Sequence, residues 1–416
     1  MKFRKWRDQK GMTLVLAAGL TVMFIAFAAL SVDIAHLYVV QSELQNAADA
    51  GALAGGRRLY YHDGSAVNTD SNQIAYEAAI ENNSERIAVE VNSPNTNAHD
   101  VQRGHWSFTT MTFTPADNTT VPDLWNSTTA QLDVDTAFIN AIKVTTRREQ
   151  TQANSFFARI LGFAGFNVSA EAIAYIGYAG AISPLEIDQP IAVCKQSVTN
   201  NNGVYSCATG RMMNATVDTA AWTNFSQPCN TADAATVGPL VCQATGSNEN
   251  SVLIGRTIGT TNGVTQSVYD TFRNCWLNDS SLDTDADGVP DQIWRLVLPV
   301  VDCCPDGNPV CDPEIGNCSK FVGVVNAEIL WVAASGVGNI IWPRILGDWT
   351  CPAGYTDEEC WVDMIQHFNI QNYDGSYPSQ EQKSVYFRAS CTPHVPVGVT
   401  GGQNFGVLAK IPVLVN

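Results

Sequence analysis

Residues 12–32 read MTLVLAAGLTVMFIAFAALSV, a run of 21 residues without a charge. As a helix rising ~1.5 Å per residue, this run is roughly 30 Å long, which matches the hydrocarbon core of a bilayer. Asp33 and Glu43 follow the run, whereas the residues before it are basic: Lys2, Arg4, Lys5, Arg7 and Lys10. Because positively charged flanks stay in the cytoplasm, residues 12–32 are predicted to contact membrane lipid as a single span. The N-terminus is then inside, and the bulk of the chain is exported.

A cleavable signal peptide is the competing interpretation of this stretch. A basic leader, an apolar run and the tripeptide Ala26-Phe27-Ala28 together resemble a processing site. The apolar run continues past this tripeptide, which favours an uncleaved anchor. Both interpretations place the rest of the chain outside the cytoplasm.

The membrane helix is predicted to continue as an extension over residues 33–56, where Gly55 and Gly56 supply a C-terminal stop. Apolar and small residues recur there every three or four positions, which marks one helical stripe: Leu37, Val40, Leu44, Ala47, Gly51 and Ala54. The stripe could cover the chain's own exported domain or bind a partner, and the sequence leaves both alternatives open.

The predicted fold class is α+β, with a cysteine-free part that changes near Ser183 to one rich in Cys, Gly and Pro. The predicted segments are a basic leader at 1–10, a transmembrane helix at 11–32, the extension at 33–56, a small α+β domain at 57–182 and a β-rich domain at 183–416. A further helix is predicted at 72–81 and a short helix or turn at 156–161. Alternating and β-branched stretches predict strands at 105–108, 111–113, 140–145, 168–178, 294–301, 321–332, 384–388 and 405–415.

All twelve cysteines lie in the second half of the chain, on the side of the membrane that the charge rule places outside the reducing cytoplasm. Disulfides are therefore predicted, but the sequence does not determine their pairing. The candidates are Cys194, Cys207, Cys229, Cys242, Cys275, Cys303, Cys304, Cys311, Cys318, Cys351, Cys360 and Cys391. A zinc site at Cys303, Cys304, Cys311 and Cys318 is the weaker alternative, since no CxxC pair is present and no histidine lies within that cluster.

Charge and motif content argue against two functional classes. Forty acidic residues against 23 basic ones give a net charge of −17, which repels a phosphate backbone, so no nucleic-acid partner is expected. The sequence contains no Gly-x-Ser-x-Gly, no His-Glu-x-x-His and no phosphate-binding glycine loop. No catalytic residue is therefore predicted.

One loop has metal-binding chemistry. Residues 283–291 read DTDADGVPD, which places aspartates at loop positions one, three, five and nine and a glycine at six. Calcium prefers six to eight hard oxygen ligands, so calcium is the predicted cofactor, bound by Asp283, Asp285, Asp287, Asp291 and the carbonyl of Val289. Position twelve is Trp294, so the bidentate glutamate of an EF-hand is missing, and the loop more resembles thrombospondin type 3 or dockerin repeats. Asp279 or Asp302 could complete the ligand shell, and the alternative is a solvated acidic turn.

Five stretches carry a family resemblance: SVDIAHLY at 31–38, LQNAADAGALAGG at 44–56, NAIKVT at 140–145, FFARILG at 156–162 and VSAEAIA at 168–174. Together they resemble the TadE/TadG-like family of Flp (Tad) pilus-assembly proteins over about residues 11–178. The resemblance implies a bacterial cytoplasmic membrane protein whose bulk is periplasmic or at the cell surface, with pilus-assembly or secretion-platform proteins as partners. Pilin-like members carry a glutamate five residues after the processed glycine, whereas Leu16 follows Gly11 at that spacing. Larger relatives carry a metal-binding Asp-x-Ser-x-Ser motif that this chain lacks.

Two functions are therefore expected first, with an exported hydrolase third. One is a non-catalytic structural component of a Tad pilus or related adhesion system. The other is a calcium-stabilised adhesin or binding module, in which the C-terminal half recognises a surface or glycan ligand. The half beyond residue 183 holds seven tryptophans, most of them expected in the core: Trp222, Trp276, Trp294, Trp331, Trp342, Trp349 and Trp361.

Overall fold

Helices and strands are both abundant in the protein, as the α+β prediction requires. The computed structural model describes residues 10–61, 66–92, 96–124, 127–200, 205–214, 218–262, 266–279, 281–304, 313–334, 342–379, 383–391, 394, 398–403, 406 and 408–415. The described helices are α1 Lys10–Arg57, α2 Ser71–Ile80, α3 Thr129–Val134, α4 Ala234–Val237, α5 Gln266–Asn278 and α6 Asp357–His367. Short 3-10 helices cover Ala158–Leu161, Lys195–Val198 and Gly238–Leu240. Residues 1–9 of the predicted leader lie outside the described residues.

The described strands range from two residues in β1 to 17 in β14. They are β1 Asn83–Ser84, β2 Ile87–Ala88, β3 Val101–Ser107, β4 Thr112–Pro115, β5 Ala141–Asn154, β6 Gly165–Tyr175, β7 Ala181–Ile182, β8 Ile191–Cys194, β9 Gly210–Met213, β10 Ala220–Thr223, β11 Val252–Leu253, β12 Thr257–Thr261, β13 Trp294–Asp302, β14 Cys318–Ala334, β15 Ile345–Leu346, β16 Trp349–Thr350, β17 Lys383–Ala389 and β18 Val413–Val415.

Helix α1 is 48 residues long and has two parts with different surroundings. Its apolar side chains before Asp33 are exposed, and α1 is the one helix among the described residues long and apolar enough to cross a membrane. From Val40 onward one side is buried in the protein. The predicted stripe therefore packs on the chain's own domain, and α1 ends at Arg57, one residue beyond the predicted glycine stop.

The first sheet supports the second part of α1. Its strand order is β18-β6-β5-β3-β4, and every neighbouring pair is antiparallel. Helices α1 and α2 share one apolar cluster with this sheet: Ala48, Ala52, Ala75, Ala79, Val101, Ile142, Val144, Ala172 and Ala174. Alanines predominate on the helix side because the backbones approach closely. A Cβ added to Gly51 would lie 2.8 Å from the Ala75 carbonyl oxygen.

The second sheet has seven strands in the order β12-β10-β8-β13-β14-β17-β9, with β8 and β13 parallel. Strand β12 pairs with β10 and also with the start of β14, so five of these strands form a closed ring. The main core lies between this sheet and helices α5 and α6, which contribute Phe272, Trp276, Trp361 and Met364. Strand β18 lies in the first sheet although it follows the whole second sheet in the chain.

The structure corrects several predicted element bounds. The predicted strand at 168–178 ends at Tyr175, because Ile176 hydrogen-bonds to Asn140 and the chain then leaves the sheet. The predicted strand at 405–415 is reduced to β18, and residue 405 lies outside the described residues. Helices α5 and α6 were not predicted. The other predicted elements of the N-terminal half are present, with shifted ends.

Candidate functional site

The junction where α1 leaves its apolar segment is built around Asp33. Its side chain is buried and accepts hydrogen bonds from the N–H groups of Phe156, Phe157 and Ala158 at 2.6–3.2 Å. These groups open the 3-10 helix Ala158–Leu161 and have no partner within that helix, as at any helix start. Asp33 therefore caps a turn located more than a hundred residues later in the chain.

The surroundings of Asp33 favour its charged form. Burial raises the pKa of its carboxyl, but the N–H groups of Ala158, Phe156 and Phe157 and the Ser155 hydroxyl outweigh burial and hold that pKa below its ordinary value. The capping role requires a carboxylate that only accepts hydrogen bonds. The charged form of Asp33 therefore suits this capping position.

A second charged group fixes α1 one turn further on. His36 Nε2 lies 2.8 Å from Glu85 Oε1, and the Arg148 guanidinium lies 3.2 Å from Glu85 Oε2. Arg148 is fully buried and also donates to the carbonyl of Ser84 at 2.6 Å. Because buried charges persist only when paired and hydrogen-bonded, this group locks α1, the β1 region and β5 into one arrangement. Sequence reasoning missed Asp33 and this cluster, since their partners are distant in the chain.

The cysteine-rich half is cross-linked as predicted. Five disulfides are described, each with Cα atoms 5.0–6.1 Å apart: Cys194–Cys303, Cys207–Cys391, Cys229–Cys318, Cys242–Cys275 and Cys351–Cys360. Cys304 is also disulfide-bonded, and Cys311 lies outside the described residues. The zinc alternative is wrong, because Cys303, Cys304 and Cys318 are in disulfides and offer no thiolate to a metal.

Three of the predicted calcium ligands meet at one point. One carboxylate oxygen from each of Asp283, Asp285 and Asp287 lies within 4.8 Å of the others. The backbone bends there through positive φ angles, 61° at Ala286 and 86° at Gly288, and glycine tolerates this conformation without strain. The N–H of Gly288 donates to Asp283 Oδ2 at 2.9 Å, and the N–H of Val289 donates to Asp287 Oδ1 at 2.8 Å.

The remaining predicted ligands are placed differently. Asp291 is buried and outside the three-carboxylate cluster, and its carboxylate accepts from the Thr284 and Gln292 side chains. Burial raises the pKa of Asp291, but these hydrogen bonds hold it below its ordinary value. Neither proposed extra ligand belongs to the cluster: Asp279 accepts from Ser281, and Asp302 accepts from the Cys304 N–H.

One carboxylate oxygen of the loop has no hydrogen-bond donor among the described residues. Asp283 Oδ1 is buried and has no hydrogen-bond partner among the described residues. A buried carboxylate oxygen without a donor is costly unless a cation contacts it. Hard, clustered carboxylate oxygens are what Ca²⁺ prefers, so Asp283, Asp285 and Asp287 fit that ion.

Most tryptophans of the second half are in the core, as expected. Five are buried: Trp222, Trp276, Trp331, Trp349 and Trp361. Trp294 and Trp342 are partly buried and pack against the same core. A surface or glycan ligand for this half stays a prediction.

Comparison with known proteins gives two family matches, both in the N-terminal half. Residues 11–58, which contain most of α1, match the family described as putative Flp pilus-assembly TadE/G-like. Residues 54–174, which contain α2 and strands β1 to β5 with nearly all of β6, match the family described as putative Tad-like Flp pilus-assembly. No curated protein and no solved structure matches the chain.

Proposed function

We propose that the protein is a membrane-anchored, non-catalytic structural component of a Tad (Flp) pilus-assembly apparatus, because residues 11–58 and 54–174 match two families described as putative Flp pilus-assembly proteins. Its N-terminus is cytoplasmic, α1 crosses the bacterial cytoplasmic membrane once, and the two sheets lie in the periplasm or at the cell surface. Its partners are other pilus-assembly or secretion-platform proteins.

The two-part environment of α1 carries this proposal. Before Asp33 its large apolar side chains are exposed, which is costly in water and favourable in lipid. After Asp33 the same helix is held by hydrogen bonds, ion pairs and an alanine-rich core. A helix arranged in this way connects a rigid exported body to the bilayer without a flexible linker.

Disulfides support the proposed compartment. The described cysteines are all oxidised, and such bonds persist in the periplasm and at the cell surface but are rare in the cytoplasm. The matched part of the chain lacks cysteine. The disulfides therefore reinforce the part of the chain outside the family match, and they suit a location outside the cytoplasm.

Fractionation of the full-length chain tests the anchor and its orientation. We expect the intact chain to stay in the membrane pellet after carbonate washing. Thiol reagents applied to cells should find no reactive cysteine until a reductant is added. A shortened chain released into the soluble fraction would instead indicate cleavage near Ala28, and free thiols throughout the second half would refute export.

Affinity capture of the full-length protein from solubilised membranes tests the assembly role. Co-purification of pilus-assembly or secretion-platform components is expected. Recovery of none of them, together with binding of the protein to cells or glycans, would favour the adhesin alternative.

We further propose that the loop at residues 283–291 binds a structural calcium ion. Asp283, Asp285 and Asp287 would hold it, and the ion would offset the repulsion of three clustered carboxylates. Calorimetric titration of the full-length protein with Ca²⁺ should show heat that the double change Asp285→Ala and Asp287→Ala removes. The control Asp374→Ala removes an aspartate from another exposed turn and should retain the heat. Equal heats in all three proteins would refute the site.

A further inference from the structure

The hairpin loop between β5 and β6 exposes an unusual amount of apolar surface. We call residues 156–163 the apolar turn. Ile160 is 83% exposed and Leu161 is 79% exposed, and three phenylalanines are also exposed: Phe156, Phe157 and Phe163. Contiguous exposed apolar residues mark an interaction surface in a soluble protein. The proposed assembly role does not account for the exposed surface of the apolar turn.

The apolar turn has a defined shape. Gly162 ends its 3-10 helix in the left-handed region at φ 98°, and the Phe163 N–H donates to the Ala158 carbonyl at 3.1 Å. Phe163 also stacks on Phe166, with ring centroids 6.3 Å apart. The exposed side chains are therefore displayed by a folded element.

The position of the turn relative to the proposed membrane span is fixed by Asp33. This residue directly follows the apolar run at 12–32, and its carboxylate binds the backbone of Phe156, Phe157 and Ala158 within 3.2 Å. The His36 ring contacts Phe156 at a centroid distance of 4.9 Å. The turn thus lies beside α1 at the level where the helix leaves the bilayer.

The composition of the turn suits that level. Interfacial elements bury Phe and Leu side chains at the boundary between headgroups and acyl chains, and long cationic side chains extend to the phosphate groups while their stems stay among lipid tails. The turn carries aromatic residues together with the exposed Arg159. The turn contacts α1, whose side chains before Asp33 are likewise apolar and exposed.

We propose that the apolar turn inserts into the outer leaflet of the membrane beside α1, with Ile160 and Leu161 among the acyl chains and Arg159 at the phosphate level. This inference rests on the proposed anchoring by α1 and deepens it. A single helix leaves a domain free to tilt and rotate on the bilayer. A second contact a short distance away defines the orientation of both sheets.

Site-specific labels in the full-length protein, reconstituted in phospholipid nanodiscs, test the insertion. The described native cysteines are all disulfide-bonded, so one introduced cysteine provides the reactive thiol for an environment-sensitive fluorophore. The test position is Ile160→Cys. Phe24→Cys reports on the span, and Val134→Cys is the matched control. Val134 is apolar, 72% exposed and near the opposite end of the β5–β6 hairpin.

A label at position 160 should be quenched at least about twofold more strongly by lipid-borne nitroxides than by a water-soluble quencher, because interfacial elements enter the headgroup and acyl boundary. The label at 134 should show the reverse preference. If position 24 is lipid-exposed while 160 behaves like 134, the insertion is refuted and the anchor stands. If position 24 is also in water, the anchoring itself fails. Disulfide cross-linking between unlabelled Ile160→Cys chains, without lipid quenching of the labelled ones, would assign the turn to a second copy and also refute insertion.

Discussion

Replacing Gly51 by alanine brings two known effects into opposition. Alanine is the better helix former, and in an unobstructed helix the change stabilises by about 1 kcal/mol. In α1, however, the added Cβ would lie 2.8 Å from the Ala75 carbonyl oxygen, 2.9 Å from Ala79 Cβ and 3.3 Å from Val144 Cγ1. The two nearest atoms are a backbone oxygen and the short side chain of another alanine, and neither can rotate away.

The structure predicts that the steric cost of the added methyl group is larger than the gain in helix propensity. Carbon atoms prefer separations of about 3.5–4.0 Å, so α1 and α2 would have to move apart by roughly 0.5–1 Å, which also loosens the contacts of Ala48 and Ala52. Overpacking of this kind costs about 1–3 kcal/mol. Because neither of the two nearest neighbours can rotate away, we expect the cost of Gly51→Ala in the upper part of this range, at about 2–3 kcal/mol. After the gain of about 1 kcal/mol in helix propensity, the net loss in the free energy of unfolding is about 1–2 kcal/mol.

Thermal unfolding of the full-length protein in detergent measures this effect. At about 2–4 °C per kcal/mol for a domain of 150–250 residues, Gly51→Ala should lower Tm by roughly 2–8 °C. Gly19→Ala is the matched control, because it lies in the same helix and an added Cβ there would have no neighbour within 4 Å. An unchanged or higher Tm for Gly51→Ala would show that the two helices are not packed as described.

Three further predictions concern acid stability, the apolar turn and the cross-links. Burial raises the pKa of Glu90, but the N–H groups of Gln150, Glu149 and Thr151 and the Thr151 hydroxyl lower it to about 2. Because the pKa is depressed in the folded state, the stability that ionised Glu90 contributes should be complete above its unfolded pKa. This contribution should be lost as pH falls from about 4.5 toward 2. Glu90→Gln should therefore flatten the acid limb of a Tm against pH curve, and Glu249→Gln, which is exposed, should not. Asp33→Ala removes the acceptor for three N–H groups, so hydrogen exchange of the amides at 156–158 should accelerate more than at the 141–145 end of β5; equal rates in the variant and the parent would contradict the capping role. Removing Cys207–Cys391 by paired serine substitutions should lower the free energy of unfolding by about 2–4 kcal/mol. Denaturant curves that superimpose on those of the parent would show that this disulfide does not stabilise the fold.

The N-terminal half was largely predictable because its signals are local. The apolar run, the three-and-four spacing from Leu37 to Ala54 and the double glycine each act through neighbouring residues, and α1 follows them. The partners of Asp33 and Glu90 were not predictable, since a carboxylate does not indicate which distant backbone groups it will cap. The same limit applies to the disulfides, whose presence followed from count and compartment but whose pairing depends on tertiary structure.

The second half contains local sequence signals for the two unpredicted helices, α5 and α6. Val268, Tyr269, Phe272 and Trp276 have the spacing of a helix face, and Thr356 with Glu359 forms a capping box at the start of α6. The Gly, Pro and Cys residues around these segments indicate turns and short strands, so the composition of this half does not suggest helices. The acidic loop was predicted as five ligands, whereas tertiary packing directs Asp291 to Thr284 and leaves three carboxylates together.

Strand β18 completes the sheet that α1 rests on, although it is synthesised after the whole cross-linked half. Until residues 413–415 are synthesised, the outer side of β6 therefore has unpaired backbone groups near Tyr175. Completion of the first sheet therefore depends on residues that follow the cross-linked half in the chain. A polypeptide interrupted before residue 413 would keep an open strand edge at β6, and an edge of this kind invites aggregation.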